Sequence, residues 1–346
     1  MADETRVGVL LPTGRTQWGE GTDPRELLDF AVRAERLGFD SLWVNDSLVS
    51  PRIEALTMLA ALAPVTEHVT LGTAALLPVL RRPVQAAQAI ASVDLLTGGR
   101  LVLAVGAGFP GRLGQPMYEL SEVPWRDRFT RLDETVALWR RLWIADEPIS
   151  YHGKLLHLDE IPVSTAPYRP GGPPIWLGGA TPAALARTGR QYDGWLPYPP
   201  DPADYAAGWS DVRRAASDAG RNPAAITPAL FTTLLISDDP DAGQRALADY
   251  SVATYGLPVD VLRTIQVVIA GTPQQVTARL RPYLAGGARH LVCRIAALDL
   301  QSQRDQLERI AEIAQTLRHP TAGEGDRCRR GPGIGAVHPV RKRTNS

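Results

Sequence analysis

The chain has 346 residues, 44% of them hydrophobic, and its 37 lysine and arginine residues equal its 37 aspartate and glutamate residues. This length allows two ordinary domains or one large α/β barrel, and the balanced charge gives no sign of a nucleic-acid or membrane partner. The two cysteines, Cys293 and Cys328, do not suggest a disulfide framework or a metal cluster. Because no run resembles a signal peptide or a membrane span, the expected location is the cytoplasm.

The first third of the chain alternates short apolar runs with amphipathic helices. Strands are predicted near residues 7, 41, 70 and 102. The stretch from 68 to 109 shows the pattern most clearly. Its helix begins at Pro83 and ends at Gly98-Gly99, and each flanking strand is mostly apolar, as in parallel sheets buried on both faces. The stretch therefore predicts one βαβ unit.

The rest of the chain continues the alternation with insertions. A segment rich in glycine and proline, 111–124, is expected to act as a lid or specificity loop, and 150–167 is expected to form a hairpin. Further strands are predicted near residues 175, 194, 230 and 292. Eight alternating units predict an α/β fold, a closed (β/α)8 TIM-type barrel over residues 1–319 with insertions after strand four. Residues 320–346, rich in Gly, Pro and Arg, are predicted to be a disordered tail.

Ligands of such barrels collect at the carboxyl ends of the strands, so the loops there are the candidate site. The glycines after the fifth strand can cradle a phosphate at a helix N-terminus, or form a plain turn; the glycines after the fourth can pass under a flat ring, or form a tight turn. The candidate cofactor-binding residues are Thr73, Ala74, Ala75, Gly106, Ala107, Gly108, Gly178, Gly179, Ala180, Thr181 and Trp195.

The candidate substrate pocket consists of Pro12, Asn45 and Phe109, with Ala74, Ala75, Phe109 and Trp195 as an apolar rim. Asp46 and Ser47 follow the second strand and are candidate catalytic residues, although such residues more often cap a helix. Four histidines, at 68, 152, 157 and 290, lie at strand entrances or in the hairpin and are interpreted as structural. No metal-binding spacing or hydrolase motif is present, so an enzyme of this composition would take its chemistry from an organic cofactor.

Several segments together resemble the bacterial luciferase-like flavin-dependent oxidoreductases. They include LGTAALLP, RRPVQAAQAIASVDLLTGGRL, VGAGF, RFTRLDETVALWRRLW, PPIWLGGATPAALARTG and YDGWLP, and the resemblance covers about residues 6–318. It implies a luciferase-like barrel, reduced FMN or the deazaflavin coenzyme F420, usually a homodimer, and a non-proline cis peptide between Ala74 and Ala75. Many members have Asp-His after strand two, where this chain has Asp46-Ser47.

Three hypotheses follow. The first is a two-component monooxygenase, in which a separate flavin reductase supplies reduced FMN and O2 oxidises a small organic substrate. The second keeps the barrel but replaces oxygenation with hydride transfer to or from coenzyme F420. The third is a non-catalytic flavin-binding barrel, motivated by Ser47 at the position of the histidine. None of them involves a metal, a nucleic acid or a membrane.

Overall fold

A computed structural model of the chain describes residues 4–19, 21–109 and 114–318. The strands are β1 (Arg6–Leu10), β2 (Ser41–Val44), β3 (Thr70–Leu76), β4 (Leu101–Val105), β5 (Ile149–His152), β6 (His157–Ile161), β7 (Ile175–Gly178), β8 (Gly194–Leu196), β9 (Thr227–Ile236), β10 (Val268–Gly271) and β11 (His290–Ile295). The α-helices are α1 (Arg15–Trp18), α2 (Glu26–Arg36), α3 (Ala55–Leu62), α4 (Pro83–Leu96), α5 (Gln115–Leu120), α6 (Arg128–Leu142), α7 (Pro182–Gln191), α8 (Pro202–Asp218), α9 (Pro240–Tyr255), α10 (Val259–Arg263), α11 (Pro273–Ala285) and α12 (Leu300–Arg318). None of the described helices combines the length and apolar composition needed to cross a bilayer.

Eight parallel strands close a barrel in the order β1, β2, β3, β4, β7, β8, β9, β11. The ring is complete because β11 pairs with β1, with Val9 opposite Cys293, and also with β9. The strands are apolar on both faces, since one face fills the lumen and the other meets the surrounding helices. This arrangement confirms the predicted (β/α)8 barrel and its eight strands.

The lower half of the lumen, here called the barrel floor, is filled by side chains. His290 shares a hydrogen bond of 2.7 Å with the Ser41 hydroxyl, which also accepts a bond of 2.7 Å from the Trp43 indole. The Trp43 and Trp176 rings lie 5.1 Å apart. A Cβ added to Gly194 would come within 2.4 Å of the Trp176 ring, so this strand position has room only for glycine. A packed floor leaves the carboxyl-terminal mouth as the place for a ligand.

Strand β9 is unusually long and, besides its pairing with β11, it pairs with two further strands. Its first residues pair with β8 and its last four, from Thr233 to Ile236, pair with β10. The chain then leaves the sheet, forms α9 and α10, and returns beside its point of departure, where the Ser237 N–H donates to the Gly271 carbonyl at 2.9 Å. Strand β10 is absent from the sequence prediction.

The insertions after β4 agree in part with the prediction. Strands β5 and β6 form the expected antiparallel hairpin. The segment predicted as an irregular lid contains the helix α5, in which Tyr118 is buried; the helix forms because Tyr118 packs against the Trp125 ring at 4.8 Å. Residues 111–113 of that segment, residue 319 and the predicted disordered tail 320–346 lie outside the described residues.

Candidate functional site

One wall of the mouth is built from small residues at the ends of β3, β4 and β7. The peptide bond between Ala74 and Ala75 is cis, which confirms the expectation from the family resemblance. A Cβ added to Gly106 would lie 3.7 Å from the Ala75 Cβ, so the ends of β3 and β4 meet there. Gly178 follows on the next strand, close to the Val105 carbonyl. Ala74, Ala75, Gly106 and Gly178 form what we call the bare wall.

Neighbouring side chains fix the backbone of this wall. The Thr73 hydroxyl is fully buried and donates to the Ala104 carbonyl at 2.9 Å, so it fastens β3 to β4. The Tyr118 hydroxyl donates to the Ala107 carbonyl at 2.7 Å and holds the loop after β4 against α5. Gly108, at φ +83°, turns this loop toward the half-buried Phe109. The Thr73 side chain and the Ala107 carbonyl are therefore engaged in supporting the wall.

The loop after β7 presents backbone to solvent at the start of α7. Gly179 has φ +99°, where a glycine is required, and an added Cβ would meet only the Ala184 side chain. The Thr181 hydroxyl accepts the Ala184 N–H at 3.3 Å and so caps the helix, while Ala180 and Thr181 are exposed. The predicted glycine turn and the start of a helix are both present. The positive end of this helix suits an anion, with the limit that Pro182 has no N–H and the Ala184 N–H is already bonded to Thr181.

Trp195 lies outside the lumen, which corrects its predicted place on the apolar rim. Its indole is completely buried in the helix layer, stacked 5.0 Å from the Tyr205 ring and 6.4 Å from the Trp209 ring. The cause is strand alternation, because Leu196 faces the lumen and its neighbour must face outward. The Trp195 N–H donates to the Gly179 carbonyl at 2.9 Å, so it supports the glycine turn from behind.

The carboxylate of Asp46 is committed to other groups. Its oxygens accept from the Arg81 guanidinium at 2.5 Å and from the Leu77 N–H at 3.0 Å, and only 6% of the side chain is exposed. Arg81 also binds Glu54 at 2.7 Å. These contacts join the loop after β2 to the loop after β3. These contacts give Asp46 a structural role, and its catalytic role stays a prediction.

The remaining predicted residues lie at the exits of β1 and β2. The Thr13 hydroxyl lies 3.4 Å from the Asn45 side-chain oxygen, and Pro12 beside it is buried. The Ser47 hydroxyl contacts the Met117 sulfur at 3.6 Å and accepts the Val49 N–H at 3.3 Å. The Thr13–Asn45 contact brings the exits of β1 and β2 together, and a substrate pocket at Pro12 and Asn45 stays a prediction. Ser47 faces α5 at the edge of the mouth.

Three arginines beside the bare wall, here called the arginine cluster, were not anticipated from the sequence. Arg128 stacks over the Trp125 ring at 3.9 Å, and Arg187 lies 4.9 Å from the centre of the Phe129 ring. The Nε atoms of Arg128, Arg131 and Arg187 are buried and have no hydrogen-bond partner within the described part of the chain, and Arg187 Nε forms a longer ion pair with the Asp133 carboxylate at 3.7 Å. Arg128 lies near the loop that Tyr118 holds, because the Trp125 ring under Arg128 packs against the Tyr118 ring at 4.8 Å. Burial raises the pKa of Tyr118, and the charges of Arg128 and Arg131 oppose that rise. The sequence did not reveal this cluster, because polar residues at helical spacing, such as Arg128 and Arg131, predict only a solvent-exposed face of α6.

The opposite side of the mouth is aromatic and basic. Strand β11 stands four places from β4 in the ring of eight, so its lumen residue Arg294 lies across from the bare wall. Arg294 is only 6% exposed and donates to the Tyr255 hydroxyl at 2.5 Å. Tyr198 follows β8 and packs on the barrel floor; burial, with a contribution from Tyr255, raises its pKa. Among residues 4–19, 21–109 and 114–318, no three His, Cys, Asp or Glu side chains converge as metal ligands.

Residues 5–290 match the family model of the luciferase-like monooxygenases, and the chain belongs to this family. The F420-dependent glucose-6-phosphate dehydrogenase of Amycolatopsis mediterranei is 28% identical over 312 residues, covering 82% of this chain and 92% of the relative. The phthiodiolone/phenolphthiodiolone dimycocerosates ketoreductase of Mycobacterium tuberculosis is 29% identical over 349 residues, covering 82% and 90%. The chain is thus an oxidoreductase of the luciferase-like family.

Solved structures share the fold at lower identity. An F420-dependent secondary alcohol dehydrogenase superimposes with a TM-score of 0.76 at 21% identity, over 91% of this chain and 100% of that one. A long-chain alkane monooxygenase gives a TM-score of 0.72 at 16% identity, over 91% and 92%. At these identities the likeness concerns the barrel alone.

Proposed function

We propose that this chain transfers hydride between coenzyme F420 and a substrate with a carbonyl or alcohol group. The observation that carries the proposal is the bare wall flanked by the arginine cluster, which suits a flat coenzyme bearing anionic groups. The choice of coenzyme is supported by the curated relatives over 82% of the chain. One is named as an F420-dependent dehydrogenase and another as a ketoreductase, and the second name describes reduction of a ketone.

The residues present fit such a coenzyme. Ala74, Ala75 and Gly106 have no bulky side chain, so a planar ring can lie against their backbone. The N–H groups of the loop from 178 to 181 and the uncommitted nitrogens of the arginine cluster can bind phosphate, for which guanidinium and helix N-termini are well suited. The coenzyme, when bound, supplies the two-electron hydride chemistry. The protein orients the ring, excludes water and holds the anionic groups.

Carbonyl–alcohol interconversion also moves one proton. Asp46 is held by Arg81, whereas Tyr198 lies in the lumen and burial keeps its phenol protonated by raising its pKa. We assign the proton transfer to the Tyr198 hydroxyl. In this proposal Ser47, which stands where many relatives of this family have histidine, shapes the edge of the mouth through its contact with Met117.

The second candidate is a two-component monooxygenase that receives reduced FMN from a separate reductase. The family description, which names monooxygenases, favours it. The same wall and the same phosphate-binding groups would serve FMN, so the two candidates differ in the coenzyme and in the reaction. A homodimer, expected from the family resemblance, is part of both proposals.

The test is a pair of anaerobic titrations of the protein with F420 and with reduced FMN, followed by fluorescence. F420 is expected to bind more tightly; tighter binding of reduced FMN by about tenfold, which corresponds to about 1.4 kcal/mol, would favour the monooxygenase. Ala75→Trp places an indole on the bare wall and is expected to abolish binding. Ala207→Trp, on the exposed face of α8, is the matched control and should bind normally. Equal binding by both variants would contradict the assignment of the wall.

A further inference from the structure

Arg294 is a buried cation whose hydrogen-bonding capacity is only partly used. Its guanidinium lies 5.6 Å from the centre of the Tyr255 ring and 5.9 Å from that of Phe231, and it donates to the Tyr255 hydroxyl. Its Nε atom is buried without an acceptor among the described residues. The described side chains that bind it are aromatic and neutral, so no carboxylate among them balances its charge.

A second arginine, Arg52, is held beside it. The loop after β2 is pinned to the loop after β1 by two backbone hydrogen bonds, from Arg15 to Pro51 at 2.9 Å and from Ile53 to Thr13 at 3.1 Å. Strand β1 is the neighbour of β11, and Leu10 is paired with Arg294. These contacts place Arg52 over the exit of β1, on the same side of the mouth.

Arg52 also has unused donors. Its Nη2 donates to the Ser50 hydroxyl at 2.6 Å, whereas Nε and Nη1 are buried and meet no acceptor in the part of the chain that the structure describes. The pairing of β1 with β11 and the hydrogen bonds between the loops bring the two arginines to the same side of the mouth, and burial together with the charge of Arg294 lowers the pKa of Arg52 to about 10. The charge of Asp46 opposes this effect, but its carboxylate is bonded to Arg81.

Arg294 is buried and Arg52 is half-buried, and two neighbouring cations without a bonded carboxylate are unfavourable there, since burial removes hydration and like charges repel. Stacking of Arg294 on aromatic rings offsets only part of this cost. An anion bound between them would remove the repulsion and satisfy the unused N–H groups in the geometry that guanidinium groups favour.

We propose that Arg52 and Arg294 bind an anionic group of the substrate, a carboxylate or a phosphate, across the lumen from the bare wall. The substrate is then a carbonyl or alcohol compound that carries a carboxylate or phosphate at a distance from its reacting carbon. This assignment of substrate class rests on the proposed function for the reaction, but the anion site itself does not depend on the identity of the coenzyme.

Binding of anions without turnover tests the site. Inorganic phosphate and propionate, each titrated by calorimetry at constant ionic strength, serve as the two probes and show which anion is preferred. Loss of a charge-assisted hydrogen bond is expected to raise the Kd by about tenfold or more in Arg294→Met and in Arg52→Met. Arg309→Met, which removes a surface arginine paired with Asp238, is the control and should bind like the wild type. An unchanged Kd in both lumen variants, or no binding of either probe by the wild type, would overturn the proposal.

Parallel F420 titrations separate this inference from the proposed function. The lumen variants are expected to bind F420 like the wild type. If Arg294→Met weakens F420 as much as phosphate, the arginines belong to the coenzyme site and the inference is wrong, while the proposed function stands. If the wild type does not bind F420 but its anion binding depends on Arg294, the coenzyme assignment fails and the anion site remains. If a methionine variant fails to fold, Arg294→Lys and Arg52→Lys replace it. These variants keep the charge but lose the planar guanidinium group, and they must still weaken the binding of phosphate or propionate.

Discussion

His290 in the barrel floor makes the stability of the barrel depend on pH. Burial, with the charge of Arg6 as a smaller cause, lowers the pKa of His290 from 6.5 to about 4. The folded pKa lies below the unfolded one, so the unfolded chain takes up a proton first as the pH falls. The stabilisation is present in full above pH 6.5 and is lost progressively down to about pH 4. The total loss is about 3 kcal/mol, of which about 2 kcal/mol is lost by pH 5.

Urea unfolding between pH 7.5 and 4.5 measures this effect when the wild type is compared with His290→Asn. The variant lacks the titrating ring, so its free energy of unfolding should fall less, by about 2 kcal/mol at pH 5 relative to pH 7.5. His68→Asn removes an imidazole whose side chain is 86% exposed and should follow the wild-type curve. Carboxylates that titrate in the same range are common to all three proteins and cancel in the differences. Parallel curves for wild type and His290→Asn would refute the reasoning.

Three further predictions concern the floor, the loops and the proton. Gly194→Ala places a Cβ against the Trp176 ring and should lower the free energy of unfolding by about 1–3 kcal/mol in urea titrations. Adding Trp176→Leu to this variant should recover part of the loss. An unchanged free energy of unfolding in Gly194→Ala would contradict the tight packing of the barrel floor. Asp46→Asn removes one of the two carboxylates that bind Arg81 and should lower the free energy of unfolding by about 2–4 kcal/mol, while the activity per folded molecule is retained. Loss of activity without loss of stability would instead support the predicted role of Asp46 in the reaction. Tyr198→Phe should reduce kcat with F420 about 100-fold while F420 binding stays unchanged, and an unaffected kcat would remove Tyr198 from proton transfer.

The fold was largely predictable, because the barrel strands are apolar runs ended by turn residues, as in Leu101–Val105 followed by glycines. The ends of strands were also the right place to look, and the bare loops at Ala75, Gly106 and Gly179 do meet at one mouth. Strand β10 was missed because Val268–Gly271 becomes a strand only through the extension of β9, which local sequence does not report.

The orientation and the partners of side chains could be predicted less well from the sequence. A strand of three residues shows no alternation, so nothing in Gly194–Leu196 indicated that Trp195 faces the helices. The arginines of the mouth come from segments far apart in sequence, and only the closed ring brings Arg52 and Arg294 to the same side. One signal was available, because Arg294 follows the apolar run Leu291–Cys293 within a buried strand, and a charge at such a position is a candidate for a functional role.

Strand β9 pairs with β8 at its start and with β10 at its end, and the segment between β9 and β10 can therefore vary independently of the barrel. Residues 237–267 leave and re-enter the sheet at adjacent points, joined by the bond between Ser237 and Gly271, and they include Tyr255, which contacts Arg294. A segment of another length or composition can replace them without changing the register of any barrel strand. The segment 237–267, which supplies Tyr255, can therefore be exchanged, whereas Arg294 and the bare wall are part of the closed ring. Substitutions in this segment can change the surroundings of Arg294 while the bare wall stays unchanged.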